Sequence, residues 1–490
     1  MLNTLTKLWK FAALAVALAV TTQALIAEIS LESEILLNDQ SLFFDGKRVK
    51  RHAPNREGAY DYFFGNALVP HGDCIKTYKQ YVFMTWYRGG KEDRHVMLTR
   101  LNTETGNMVT IEFPHRHTGY LNQYWIGETH NTIAVGISPK NGTIHLLYDM
   151  HAYRPGFTDD GAFDKDYFRY SYSITNAADV PDEDFNLDLF VKSPDGDYKH
   201  LTMDGVKNPD VWGRLTYPTF FLNDQGDLFM YMRKGSAYNG RYFISKYDGE
   251  SKWNEPIYFN VKDANKHGLD YTYGVYGKMK YANGKVRVAF QRRYNDRNDK
   301  YIYQNGVYYA YSDNPNGKSD WKNHKGEPFD LPLADPQFIK VFEPGDLVEG
   351  SEKDKIHMVG YFDFNVTDRG DEHIIARVND KQNKVIKFLH LYRASGDSDF
   401  TVTTDFAGGI ELYAAGNYIF MITLKDGRPF VQSTEGGTNN WKTVYQPKSG
   451  RTFDKGIPHI SNGKLYYYLK SPGTGDTRTT YLQIIDLNLD

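Results

Sequence analysis

The sequence predicts an all-β chain that folds as a seven-bladed β-propeller in a single domain. Three observations predict it: a recurring strand that follows a tight turn, a second recurring turn that ends in tryptophan, and aromatic residues that make up 15% of the chain. Flat and β-branched side chains pack well on a pleated surface. A repeat fold can hold all 490 residues in one domain because the core is divided among the repeats.

The first 27 residues are predicted to be a signal peptide. A basic start precedes the apolar run Phe11–Val20, and Ala24 and Ala27 are small residues that suit a cleavage site. The apolar run of about ten residues is short of the ~20 that a membrane-spanning helix needs. We therefore expect a secreted protein, with the propeller over residues 28–490 and no membrane attachment after cleavage.

The recurring strand begins with a tight turn, usually one that contains glycine, and continues with aromatic and branched residues. Asn-Gly and Gln-Gly supply the positive φ that such turns need. Four clear copies and three weaker ones predict seven hairpins, and thus seven blades. The clear copies are 140–148, 224–232, 282–290 and 461–469, and the weaker ones are 77–86, 353–361 and 415–422.

A second motif runs from serine through an acidic or amide residue and glycine to tryptophan, at 245–253, 312–321 and 433–441. These segments resemble degenerate Asp-boxes, the turns between outer strands of sialidase-like propellers. Polar side chains hold such a turn and its tryptophan packs between strands. Two tandem sandwiches are the alternative, but no linker-like segment divides the chain.

The segment from Tyr153 to His200 interrupts the blade rhythm, and we expect it to be an acidic loop on one face. Asp182, Asp184 and Asp188 offer the hard oxygen ligands that calcium prefers, so a structural calcium site is predicted there. The net charge of −3 gives no general attraction to nucleic acid. An anionic substrate must therefore meet a local basic cleft.

Two neighbouring hairpins place four reactive side chains at strand ends. His130 opens one strand and His151 closes its partner, while Tyr217 and Arg233 take the same places in the next hairpin. The start of one antiparallel strand lies beside the end of the next. We therefore expect all four residues on one rim of adjacent blades, and we predict that they are catalytic.

Four further residues are predicted to contact substrate together with Arg233. Asn131 adjoins His130, and Arg293 lies at the corresponding end of the third hairpin. His267 and Tyr271 are expected to begin a strand of that same blade and to line a sugar subsite. Ordinary packing, or a solvated face for the arginine, is the alternative for each.

The chain resembles a known family, the propeller-type ulvan lyases of polysaccharide lyase families twenty-four and twenty-five. The resemblance is carried by Glu128-Thr-His-Asn131, by Gly142-Thr-Ile-His-Leu-Leu-Tyr-Asp-Met-His151, and by Leu215-Thr-Tyr-Pro218 with Tyr231-Met-Arg233. These segments have the order and spacing of the family's catalytic His, His, Tyr and Arg. The long insert resembles family twenty-four more than twenty-five.

The resemblance implies a monomeric secreted enzyme that cleaves ulvan by β-elimination at a uronic acid linked to sulfated rhamnose, with no cofactor needed for the chemistry. Some members carry a structural zinc with cysteine ligands. Cys74 is the only cysteine here, so a zinc site is not carried over and an intramolecular disulfide is excluded.

β-Elimination at a uronate assigns a role to each predicted catalytic residue. Arg233 can pair with the carboxylate and spread the charge that develops when the C5 proton leaves. His130 and a Tyr217 whose pKa is depressed by the arginine form the base and acid, in an order that the sequence leaves open. His151 is expected to assist by holding the carboxylate or orienting the others.

Two other functions fit a propeller, because fold does not decide function. A sialidase-like hydrolase requires an arginine cluster with a tyrosine nucleophile and a glutamate, and most other glycosidases require two facing carboxylates. A non-catalytic glycan-binding propeller would retain an acidic glycan and leave its length unchanged.

Overall fold

A computed structural model describes residues 29–206, 208–294, 301, 304–348, 350–358 and 360–489. The predicted signal peptide, residues 1–27, lies outside the described residues. Seven sheets of three to six strands are arranged around one channel, and the innermost strand of each sheet lines it. The predicted all-β, seven-bladed propeller is confirmed.

Blades one to three contain the predicted hairpins 77–86, 140–148 and 224–232 as their inner strand pairs. The strands of blade one are Ile75–Tyr78, Tyr81–Tyr87, His95–Asn102 and Met108–Arg116; those of blade two are Ile133–Ile137, Ile144–Tyr148 and Tyr170–Tyr172; those of blade three are Leu215–Leu222, Leu228–Ser236, Asn239–Lys246 and Ile257–Tyr258. A short parallel pair, Asp61–Tyr62 with Ile126–Gly127, lies beside them.

Blades four to six follow in chain order around the channel. The strands of blade four are Tyr273–Ala282, Lys285–Tyr294, Asn305–Ser312, Trp321–Asn323 and Pro328–Phe329, with Lys340–Phe342 paired to the third; those of blade five are Ile356–His357, Asp363–Val366, Glu372–Asp380, Val385–Arg393 and Thr401–Thr403; those of blade six are Glu411–Ala415, Tyr418–Lys425, Arg428–Glu435 and Lys442–Tyr445.

The predicted hairpin at 353–361 is wrong. The inner pair of blade five is Asp363–Val366 with Glu372–Asp380, joined by a turn in which Gly370 has a φ of 97°. The described residues of 353–361 contribute the strand Ile356–His357, which pairs with the far end of Glu372–Asp380. A short alternating segment fits either place, and only the pairing decides between them.

Blade seven consists of Lys455–Ser461, Lys464–Lys470 and Thr477–Asp486, and the first described strand, Ser30–Leu42, completes it. Ser30–Leu42 runs antiparallel to Thr477–Asp486, so the two ends of the described chain lock the ring. Closure leaves short, protected sheet edges.

The predicted Asp-box-like turns join the third and fourth strands of blades three, four and six. In blade three, Asp248 Oδ1 accepts the backbone N–H groups of residues 250, 251 and 252. Trp253 and Trp321 end two of these turns and are 2% and 1% exposed, so the predicted packing role is confirmed for both.

The predicted loop from Tyr153 to His200 is partly wrong. It contains the third strand of blade two, Tyr170–Tyr172, and three short 3-10 helices, Ala177–Asp179, Asp182–Asp184 and Leu187–Leu189. Helices elsewhere in the described residues are the α-helix Pro209–Trp212 and the 3-10 helices Ala264–His267, Pro336–Ile339 and Pro344–Leu347. In the described part of the chain, no helix has the length and apolar character to cross a membrane.

Candidate active site

The two predicted histidines meet on one rim of blade two. His130 precedes the strand Ile133–Ile137, and His151 follows its partner Ile144–Tyr148. Their rings stack with centroids 4.2 Å apart and planes 19° apart. The predicted juxtaposition is therefore correct for this pair.

A backbone link between blades two and three brings Tyr217 to the histidines. His151 forms an isolated antiparallel bridge with Thr216, and the Ala152 N–H donates to the Leu215 carbonyl at 2.8 Å. As a result the rings of His130 and Tyr217 have centroids 5.6 Å apart.

Tyr217 lies at an irregular point of its strand. The pairing between Leu215–Leu222 and Leu228–Ser236 shifts register between Thr216 and Thr219, so Tyr217 and Pro218 form a bulge. Tyr217 has a φ of 58°, in the left-handed region, which costs a non-glycine residue about 1 kcal/mol or more. Such strain is typical of functional sites, and the bulge turns the tyrosine away from the regular alternation.

Glu128 connects the two histidines, and sequence reasoning missed it. One carboxylate oxygen lies 2.6 Å from His130 Nδ1 and the other 3.0 Å from His151 Nδ1. Glu128 is 0% exposed. Its position two residues before His130, at the entry to an apolar strand, is the signal that could have identified it. We call Glu128, His130, His151 and Tyr217 the rim cluster.

The ionisation states of the rim cluster follow from burial and from mutual contacts. Burial opposes ionisation of Glu128, but the two histidines hold the pKa of its carboxyl well below the ordinary value. Burial lowers the pKa of His130 below 6.5, with His151 adding to this and Glu128 opposing it. At neutral pH these directions give a carboxylate and a neutral imidazole.

The predicted depression of the Tyr217 pKa is wrong in sign. Burial raises the pKa of the phenol well above 10.0, and Tyr276 adds to the rise, while Arg233 and Arg293 oppose it. Spacing in the sequence identifies the arginines but not the burial that outweighs them. Tyr217 therefore keeps its proton at neutral pH.

Arg233 and Arg293 lie on the same aromatic ring, Tyr276, which sequence reasoning also missed. Their guanidinium carbons are 4.4 Å and 4.3 Å from its centroid. Arg233 is 4% exposed, and it donates to the Val275 carbonyl at 3.1 Å and to the Ser236 carbonyl.

Arg293 is the more accessible of the two arginines. It donates to the Tyr276 hydroxyl at 3.3 Å and to Gln304 Oε1 at 3.2 Å. Its charge lowers the pKa of both His130 and Tyr217, which places it within electrostatic reach of both. Its contact with substrate stays a prediction.

Three other predicted substrate contacts are not supported by the structure. Asn131 is 0% exposed, and its amide exchanges hydrogen bonds with the Tyr153 hydroxyl at 2.9 and 3.1 Å. Tyr271 accepts from Arg292 Nη1 at 2.6 Å. His267 is exposed and ends the 3-10 helix Ala264–His267, so it does not begin a strand. Asn131 and Tyr271 thus form hydrogen bonds within the protein, and His267 faces solvent.

The structure does not bring together the predicted calcium ligands Asp182, Asp184 and Asp188, and calcium binding by the chain stays a prediction. Among the described residues, the group with metal-ligand spacing is Glu128, His130 and His151, and the three aspartates form no such group. Asp182 pairs with Arg100 at 2.9 Å, whereas Asp184 and Asp188 are exposed. In the rim cluster each Nδ1 has a carboxylate oxygen of its own at hydrogen-bond distance, so the group forms a hydrogen-bonded triad.

Comparison with known proteins identifies the family of the chain. The model of the BNR repeat-containing family matches residues 79–405. The short isoform of ulvan lyase from Alteromonas sp. (strain LOR) is 47% identical over 482 residues, which cover 94% of this chain and 91% of that protein. The chain belongs to the ulvan lyase family.

Two further comparisons support the assignment. The long isoform of ulvan lyase from Pseudoalteromonas sp. (strain PLSV) is 48% identical over 485 residues, or 96% of this chain and 48% of that protein. The chain thus spans about half the length of the long isoforms that it matches. The crystal structure of polysaccharide lyase Uly1 superposes with a TM-score of 0.90 at 51% identity, covering 94% of this chain and all of that one.

Proposed function

We propose that this member of the ulvan lyase family cleaves ulvan by β-elimination at the uronic acid linked to sulfated rhamnose. The observation that carries the proposal is the pairing of His130 with Tyr217, whose ring centroids are 5.6 Å apart. Arg233 and Arg293 lie within electrostatic reach of this tyrosine. One ring is held neutral and the other keeps its proton. A base and an acid on one rim are what the elimination needs.

The arginines supply the third requirement of the reaction. Removal of the C5 proton places negative charge beside a carboxylate that is already charged, and guanidinium groups stabilise that charge. The guanidinium groups of Arg233 and Arg293 lie against the ring of Tyr276, and the charges of both arginines lower the pKa of Tyr217. We assign carboxylate neutralisation to the two arginines together, because backbone carbonyls occupy two of the nitrogens of Arg233.

The ionisation states order the proton transfers. His130, neutral at the working pH, takes the C5 proton, and Tyr217 protonates the O4 leaving group, so the C4–O4 bond breaks as the C4=C5 double bond forms. Both histidines approach Glu128 through Nδ1, which leaves Nε2 as the basic nitrogen of the neutral ring. His151 assists by binding the other oxygen of the Glu128 carboxylate.

Hydrolysis is the competing reaction. Most glycosidases need two carboxyl groups that face the scissile bond. The rim cluster offers one, Glu128, which is 0% exposed and bonded to both histidines. The geometry therefore favours elimination.

The proposal is tested by incubating the purified chain with ulvan and following the ultraviolet absorbance of the unsaturated uronate. We expect absorbance to rise with enzyme concentration and to depend on His130 and Tyr217. A fall in chain length without absorbance would favour a hydrolase, and retention without shortening would favour a binding protein.

We also propose that the chain is exported. Its first 27 residues have the composition of a signal peptide. Detection of the mature chain in culture medium or periplasm tests this, and accumulation of the uncleaved chain in the cytoplasm would contradict it.

A further inference from the structure

A short basic segment lies outside the rim cluster. Residues 47–52 read Lys-Arg-Val-Lys-Arg-His, with five basic side chains and no acidic one, in a chain whose net charge is −3. All five basic side chains are exposed. We call residues 47–52 the basic segment.

Three charges of this segment are not neutralised by the described residues. In the described residues, no carboxylate lies within ion-pair distance of Arg48, Lys50 or Arg51. Arg56, a few residues further on, donates to Asp61 Oδ2 at 2.7 Å and shows how such a charge is ordinarily satisfied here. A cluster of like charges repels itself, so an anionic ligand would relieve the repulsion.

Aromatic side chains connect this segment to the rim cluster. Phe64 is 39% exposed and meets His130 edge-on, with ring centroids 4.5 Å apart. Phe63 follows at 4.7 Å from Phe64 and stacks on Tyr120 at 4.0 Å. The Arg48 Nε donates to the Phe63 carbonyl at 3.0 Å. The surface is thus continuous from the histidines to the basic segment.

The far end of this surface is concave. Arg48, Val49, Lys50, Arg51 and Phe63 line one open depression with a volume of about 560 Å³. The charge of Arg51 also opposes the burial that raises the pKa of Tyr120, which indicates that the arginine lies near that ring. Cationic and aromatic groups therefore face the same space.

We propose that the basic segment and the Phe63–Phe64–Tyr120 surface bind sulfate groups of the polysaccharide chain beyond the bond that is cut. This inference rests on the proposed function. Exposed Phe64 adjoins His130, so a polymer held at His130 can pass over it. Sugar rings present apolar faces to aromatic side chains. A sulfate ester is an anion of fixed charge, which arginine recognises with paired N–H groups.

The test uses direct binding, so that cleavage is not the readout. Tyr217→Phe keeps the polymer intact, and in this background Lys50→Gln and Arg51→Gln together remove two exposed charges. The matched control is Lys442→Gln with Lys448→Gln, two exposed lysines of blade six and the loop after it. Retention is measured by affinity electrophoresis in gels that contain ulvan or chemically desulfated ulvan, with equal thermal midpoints as the folding check.

We expect the double variant to bind sulfated ulvan about three- to tenfold more weakly, since each exposed charge pair contributes only modestly to affinity. The control variant should bind normally, and the difference should disappear on desulfated ulvan. Unchanged retention, or an equal loss on both polymers, would overturn the inference. If retention depends on sulfate but the chain with an unmodified Tyr217 forms no unsaturated product, the proposed function alone would be contradicted.

Discussion

At the scale of residues, Glu128 determines what the two histidines can do. Its ionised oxygens face both Nδ1 atoms, so the neutral ring of His130 keeps its proton on Nδ1 and its lone pair on Nε2. The stacked rings, 4.2 Å apart, also disfavour a charge on both. One buried carboxylate thus sets the tautomer of the proposed base and opposes the lowering of its pKa by burial and by His151.

Glu128→Gln tests this positioning role. The variant loses the charge that raises the pKa of His130, so the acid limb of the kcat profile should move to lower pH. The maximal rate should fall by ~10- to 100-fold, the loss that follows when a group that orients a metal-binding histidine is removed. Exposed Glu112→Gln is the control, and an unmoved acid limb with a normal rate would contradict the role.

The pH dependence of the unmodified chain follows from the same two groups. His130 acts when neutral and its pKa lies below 6.5, so activity should be complete near neutrality and be lost as pH falls below 6.5. Tyr217 acts when protonated and its pKa lies above 10.0, so it imposes no loss until pH exceeds 10.0. A kcat/KM profile measured over this range tests both limits. Half-maximal activity between pH 7 and 9 would contradict the assignment.

Sequence reasoning located His130, His151, Tyr217 and the arginines because hairpin ends are visible as strand and turn patterns. It assigned the wrong direction to the pKa of Tyr217 and took Asn131 for a substrate contact. Both errors concern burial, which depends on what covers a residue from other blades. Spacing along the chain does not contain that information.

At the scale of elements, the inner hairpins and the Asp-box-like turns build each blade. The turns are recognisable because local side chains hold them, as Asp248 does with three backbone N–H groups. The inner pair of blade five was misplaced because two short alternating segments compete for the same position. Turn chemistry is local, whereas strand pairing is not.

Trp253→Ala tests the structural role of these turns. The indole is 2% exposed, and its N–H donates to the Tyr170 hydroxyl of blade two at 3.1 Å. We expect a loss of about 3–5 kcal/mol in stability, seen as a lower thermal midpoint. Trp441→Ala, in the half-buried position of blade six, should cost less. Equal losses would contradict the role of burial.

At the scale of the whole molecule, the propeller is closed by two paired strands from opposite ends of the described chain, Ser30–Leu42 and Thr477–Asp486. Asn38 Nδ2 donates to Thr480 Oγ1 at 2.9 Å across 442 positions of sequence. The number of blades is predictable from the repeats, but the identity of the closing strand is not, because Ser30–Leu42 carries no turn motif of its own. The closure holds blade seven against blade one and so preserves the rim on which the cluster lies.

Removal of the closing strand tests this architecture. A chain that begins at residue 43 should unfold at a markedly lower temperature than a chain that begins at residue 29, because Thr477–Asp486 loses its partner. Limited proteolysis should then cut first within residues 455–489. Equal thermal midpoints for the two chains would contradict the closure.

The rim cluster is proposed to perform elimination. The most direct measurement that tests this is the mass of the two fragments formed from a defined ulvan oligosaccharide, with Tyr217→Phe as the inactive control. We predict that the two masses sum to that of the parent and that the variant forms about 10²- to 10⁴-fold less product. Fragments whose masses sum to that of the parent plus one water would show hydrolysis and would contradict elimination.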